Sequence, residues 1–208
     1  MTIADVFDDP ADTHEEVMAA TYRALCTHGY ANLTIQRIAD EFPKSKSLLY
    51  HHYDGKDDLL LEFLEFMLEG FEANVPAEEY DDAREHLREI LDHAFPPASE
   101  FAAERREFTS AMVELQAQAA HDRDYHDHFT RSSEFFHSRV VGVLERGIEE
   151  GVFRPVDPDQ VATLLLTAYD GTRFRRSTSD VEETIPRLRA ELETYLEQCV
   201  YVDEVGTT

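Results

Sequence analysis

Apolar residues recur along this chain at three- and four-residue spacing, and no strand-like alternation lasts long enough to compete with that rhythm. Breaks carrying glycine or proline separate the periodic stretches into nine predicted helices. The first covers about Thr13 to Thr27, with Val17, Ala20, Ala24 and Leu25 as its apolar stripe. Thr13 and Glu16 have the spacing of a capping box, and Gly29 stands where a left-handed stop belongs. The second runs from about Thr34, its N-cap, to Glu41 and turns Ile35, Ile38 and Ala39 inward. The third is very short, about Lys46 to Tyr50, behind a Ser45 cap. The fourth opens after Asp54, the expected cap for Lys56 and Asp57, and continues to about Asn74.

Five more helices follow. They cover about Glu78 to Phe95 (stopped by Pro96-Pro97), Ser99 to Ala119, Asp122 to Gly151, Asp157 to Phe174 and Ser179 to Val202. Asp157-Pro158 is an N-cap followed by a first-turn proline. Ile185, Leu188, Leu192, Tyr195 and Cys199 stripe the last helix, whose end at Tyr201 and Val202 is expected to pack loosely.

The second and third helices are too short to stand alone. Joined by a tight turn and covered by the first, they form a helix-turn-helix, whose second helix fits the major groove of B-DNA. The side chains there suit that use. Free N–H groups behind Ser45 favour a phosphate oxygen. Thr34, Lys44, Tyr50, His51 and Lys56 are placed to hold the flanking backbone, while Lys46, Ser47 and Gln36 are the candidates for reading bases. The expected architecture is all-α, with a helix-turn-helix DNA-binding domain over residues 1–54 and a six-helix domain over 55–208.

Charge at first opposes that reading. Forty-four acids against nineteen bases leave a formal net charge of −25, which ordinarily repels nucleic acid. The distribution reverses the picture, because from Thr21 to Lys56 five bases face three acids. The chain has three lysines, and all lie between positions 44 and 56. Such an acidic, lysine-poor composition resembles that of proteins from extreme halophiles, where lysine confined to one segment points to a local use. With no apolar run long enough for a membrane span and no basic leader, a cytoplasmic protein is expected. The two cysteines, Cys26 and Cys199, read as small buried hydrophobes.

The series Gly29-Tyr30, Thr34-Ile35-x-x-Ile38-Ala39, Ser45-Lys46-x-x-Leu49-Tyr50-His51-His52-Tyr53-x-x-Lys56-x-x-Leu59-Leu60 closely resembles the DNA-binding module of tetracycline-repressor-like (TetR/AcrR) regulators. The match covers about residues 15–62. Pro43-Lys44 replaces the family's glycine and apolar residue in the turn, and Ser47 stands where glycine is common. The resemblance implies a homodimer built on helices 8 and 9, where Leu164, Leu165, Ala168, Leu188, Leu192, Tyr195 and Cys199 are the candidate interface. It also implies a repressor released from a palindromic DNA operator when a small hydrophobic molecule enters a cavity among helices 4 to 8. Phe63, Met67, Phe108, Met112, Phe136 and Tyr169 are the candidate lining, and each is equally a core residue in pattern.

Other constellations are weaker. His121 to His128 holds Asp122/His126 and Asp124/His128 at i,i+4 spacing, which suits a metal ion or a solvated helix start. Of the two Glu-x-x-His motifs a di-iron bundle needs, only Glu134 to His137 is present. No phosphate loop, HExxH or dinucleotide fingerprint occurs, so an enzyme is not expected and no cofactor is assigned. A regulator controlled by a protein partner and a metal-binding helical bundle are the alternatives.

Overall fold

The computed structural model describes residues 7–44, 46–74, 80, 82–97, 103–180 and 183–203. Among the described residues nine α-helices follow one another: α1 Thr13–Asn32, α2 Ile35–Glu41, α3 Lys46–His52, α4 Lys56–Asn74, α5 Ala83–Ala94, α6 Ala103–Gln118, α7 Arg123–Glu149, α8 Pro158–Thr178 and α9 Thr184–Tyr195. A π-turn, Leu196–Val200, continues α9. No strand occurs among the described residues beyond one isolated antiparallel bridge, Phe153 to Tyr201. The chain divides into two compact units. One takes in Met1–Val75 and Ala103–Thr130, the other Pro76–Ala102 and Arg131–Thr208.

In the first unit α1 packs against α2, α4 and α6. Its cap is Asp12 rather than Thr13. The Asp12 carboxylate accepts from Glu15 N–H at 2.9 Å, and Glu15 reaches back to accept from Ala11 N–H at 2.6 Å. This is a reciprocal capping pair displaced one residue toward the N-terminus. Gly29 breaks α1 as expected, at φ 65° and ψ 165°, a conformation essentially reserved for glycine. One further turn follows, and its Ala31 N–H donates to Glu114 of α6 at 3.0 Å. Phe7 stacks on Tyr22 and Phe63 at 4.7 and 5.8 Å, and Tyr22 meets Phe108 at 5.1 Å. At α4 the expected contact is reversed: Asp58 accepts from Asp54 N–H at 3.1 Å.

The second unit is built on Leu87, Leu91, Val140, Leu144, Val161, Leu165, Leu192, Leu196 and Val200, all buried. Asp82 caps α5, and Asp157 with Pro158 opens α8 as the pattern predicts. The α5 and α6 starts expected at Glu78 and Ser99 lie outside the described residues. The π-turn advances the α9 seam from Tyr195–Cys199 to Leu196–Val200, so Cys199 is exposed; Cys26, on α1, is half-buried. The C-terminal end is better held than its sequence suggests. Tyr201 is buried, its ring stacks on Phe153 at 5.4 Å, and Val202 N–H donates to Val152 O at 3.0 Å. Gly151, at φ 76°, turns the chain so that Phe153 lies back over Gly147. No described helix is long and apolar enough to cross a membrane.

Gly147 and Gly142 sit in the same helix but differ in surroundings. A Cβ at Gly147 would enter the Phe153 ring, whereas nothing lies within 4 Å of one at Gly142. Gly142→Ala is expected to stabilise the protein by about 0.5–1 kcal/mol, the usual helix-interior difference. Gly147→Ala is expected to destabilise it by about 1–3 kcal/mol through overpacking, which urea unfolding will show. A second expectation concerns His86, buried on α5 and stacked on Tyr80 at 4.2 Å. Burial, with Arg146 and Arg139 nearby, pushes its pKa from 6.5 down to about 4. Between those values the unfolded chain binds the extra proton, so stability is full above about pH 6.5 and falls as pH drops toward 4. His86→Phe should remove that part of the slope in urea titrations at pH 4.5 and 7.

Candidate nucleic-acid interface

Thr34 sits in extended backbone and its hydroxyl accepts from Arg37 N–H at 3.2 Å, which starts α2. The helix ends because proline at 43 disfavours helical backbone in the residue before it. Phe42 is accordingly extended, at φ −86° and ψ 126°, and its ring is buried. No described residue other than glycine has a positive φ, so Phe42 makes the bend that a left-handed glycine makes elsewhere. Ser45, the expected cap of α3, lies outside the described residues. Leu49 is the buried side chain of α3 and joins the core of Ile38, Ala39 and Phe42. Burying one side of so short a helix fixes the other. Lys46, Ser47, Tyr50, His51 and His52 are exposed together.

The exposed face is internally bonded. Tyr50 OH donates to Gln36 Oε1 at 2.9 Å, and Gln36 Nε2 donates to Asp40 Oδ1 at 2.9 Å. Asp40 also accepts from Lys46 Nζ, and that contact, followed by the Gln36 amide, lowers its pKa from the usual carboxylate range. Three candidate DNA-contacting residues are thus joined through an aspartate that the sequence reading passed over. Its i,i+4 spacing from Gln36 was the available signal. Lys44 donates to Thr13 Oγ1 at 2.7 Å and pairs with Glu16 at 2.5 Å. Lys44, Ser47, Leu48 and His51 line an open depression beside α3. Lys46 and Asp40 are both well exposed, so their ion pair is weak and a phosphate can take the place of the aspartate, whereas Glu16 is the more covered partner of Lys44.

Lys56 has another situation. Half-buried, it donates to Tyr30 O at 3.2 Å and lies 4.0 Å from the centre of the Tyr30 ring. Asp57 beside it accepts from Tyr30 OH at 3.1 Å and from Tyr125 OH at 3.3 Å. One carboxylate therefore ties the end of α1, the start of α4 and the first turn of α7. Burial and Asp57 push the Tyr30 hydroxyl up to about 12 and raise that of Tyr125 as well. On the far side of α4, Glu62 accepts from Tyr53 OH at 3.0 Å and meets His14 at 2.8 Å.

The remaining expected residues fall in different places. Phe63 and Phe108 are in the aromatic core of the first unit, with Met67 and Met112 half-buried against it. Phe136 is exposed and Tyr169 half-buried, both in the second unit. On α8 and α9, Leu165 and Leu192 belong to that unit's own core, Ala168, Leu188 and Tyr195 pack at its margin, and Leu164 and Cys199 are exposed. Phe174, absent from the expected set, is more exposed than either Leu164 or Phe136. In the His121–His128 segment, Asp122 accepts from the N–H groups of Asp124 and Tyr125 at 2.9 and 3.3 Å. Asp127 pairs with Arg123 at 3.0 Å, and buried His128 faces Glu65 at 3.4 Å. These are the contacts of a helix start.

The chain resembles known proteins over both units. Residues 17–63 match the model of bacterial regulatory proteins of the tetR family, and residues 83–200 match that of the BetI-type transcriptional repressor C-terminal domain. The HTH-type transcriptional repressor AcnR of Corynebacterium efficiens is 24% identical over 188 residues, 90% of this chain and 94% of the relative. A TetR transcription regulator from Haloarcula marismortui is 37% identical and superposes with a TM-score of 0.79, covering 91% of this chain and 99% of that one. A transcriptional regulator from Saccharomonospora viridis, solved in complex with choline, shares the fold at 23% identity and a TM-score of 0.71, over 91% of this chain and 97% of its own. With a helix-turn-helix that presents one polar face and matches to the family along both units, the chain belongs to the TetR family of DNA-binding transcription regulators.

Proposed function

We propose that this regulator is a repressor that binds a palindromic operator as a homodimer and leaves it when a small, mostly apolar effector binds. The observation that carries the reading is the exposed Lys46–Ser47–Tyr50 face of α3, held out by Leu49 buried behind it. A groove-entering helix needs that division of faces. Lys44 and His51 flank it where the duplex backbone would run, and Thr34 opens α2 beside it. Lys56 serves the DNA only indirectly, by fixing the α1–α4 junction through Tyr30. The repressor names of similar proteins favour repression.

The dimer face we assign is the exposed side of α8 and α9. Leu164, Gly171 and Phe174 recur there at helical spacing, with Cys199 and Val202 exposed near the C-terminal end. Large apolar groups in water are costly for a lone subunit and ordinary for a buried interface. An effector is supported by the choline complex of the Saccharomonospora viridis protein. Within the first unit, Met67 and Met112 are the side chains best suited to repack around one, because a thioether chain adapts its shape.

A duplex enriched from a random pool on the purified wild-type chain supplies the operator for the test. Lys46→Ala and Tyr50→Ala should each weaken binding to it roughly tenfold or more, while sedimentation still reports a dimer. Leu164→Asp should have the opposite signature, a monomer with its helical circular dichroism intact. Full affinity in both α3 variants would refute the DNA face, and a dimer in Leu164→Asp would refute the interface.

A further inference from the structure

The clamp around Gln36 has a consequence for which base it reads. A glutamine amide carries two N–H donors and two acceptor lone pairs, and by itself it turns freely about its last torsion. Here it does not. Ionised Asp40 can only accept, so the nitrogen must face Asp40 and the oxygen must face the Tyr50 hydroxyl, which donates to it at 2.9 Å. The same aspartate holds Lys46, and the lowered Asp40 pKa keeps the carboxylate in its accepting form. Each contact uses one valence of the amide. One N–H and one lone pair are left on an exposed side chain at the face assigned to the groove.

We propose that Gln36, oriented by Asp40 and Tyr50, reads adenine in the major groove of each operator half-site. This rests on the operator-binding reading above. Adenine presents there an acceptor, N7, next to a donor, the N6 amino group, which is the complement of a donor and an acceptor side by side. Guanine presents two acceptors, and the amide oxygen would oppose one of them. A free glutamine could flip to meet other edges. The clamped one cannot without losing both of its bonds. Asp40 is thus a positioning residue that acts through Gln36, and Tyr50 combines positioning with its own place in the interface. The arrangement also explains how a carboxylate is tolerated at this surface, since its charge is matched by Lys46.

The test is selection from a random duplex pool followed by affinity measurement on single-base variants. Wild-type protein should enrich an A·T pair at one fixed position of each half-site and discriminate it from G·C at least tenfold. Gln36→Ala should abolish discrimination there and leave the other positions ordered as before. Asp40→Asn and Tyr50→Phe should each reduce discrimination at that same position several-fold, with helical content unchanged. A merely structural role for Asp40 would lower affinity for all sequences alike. Unaltered preference in Asp40→Asn and Tyr50→Phe overturns the proposal, as does a Gln36→Ala effect confined to a G·C position. A wild-type chain that enriches no sequence overturns the operator reading itself and this inference with it.

Discussion

A seven-residue helix does not persist in water by itself, because the first turn fixes several residues for a single hydrogen bond. Helix α3 is of this kind. What holds it is the Leu49 side chain, buried in the core with Ile38, Ala39 and Phe42. The rest of the first unit follows from that requirement. The core must be firm enough to carry α3, so α1 is covered by α2, α4 and α6. Its break at Gly29 is closed by a carboxylate from α6, and its end is bound to α4 and α7 through Asp57.

The electrostatics also fit the use. A chain of net charge −25 gains little from long-range attraction to DNA, and only a local surface can meet a phosphate backbone. The lysines of that surface are each engaged within the chain, Lys44 with Glu16, Lys46 with Asp40 and Lys56 with Tyr30. The Lys46–Asp40 pair is exposed on both sides and weak, so it orients the lysine without holding it against exchange, while the Glu16 carboxylate that meets Lys44 is more covered. For Lys56 the cation lies on an aromatic ring and a carbonyl at the junction of α1 and α4.

Much of this was legible in the sequence, and what was not has physical reasons. Helix order, the Thr34 and Asp157 caps and the exposure of Lys46, Ser47 and Tyr50 follow from local pattern and short-range chemistry. Asp12 displaced Thr13 as cap because both residues suit the position and the partner Glu15 decides between them. The π-turn at Leu196–Val200 shifts the α9 seam by one residue and leads directly into the bridge between Phe153 and Tyr201. No periodicity encodes such a contact. The same holds for Glu114 on Ala31 and for Tyr125 on Asp57, which join residues 83 and 68 positions apart. Of the candidate cavity residues, Phe63 and Phe108 are buried in the first unit's core and Phe136 is exposed, a difference that spacing by itself does not give.

On the proposed reading the duplex meets the α2–α3 face and no other. Amide hydrogen exchange of the full chain, with and without its selected duplex, tests this most directly. Binding should slow exchange in α2 and α3 and leave α8 and α9 unchanged. Slowing centred on α8 and α9, with α3 left as open as in the free protein, would contradict it.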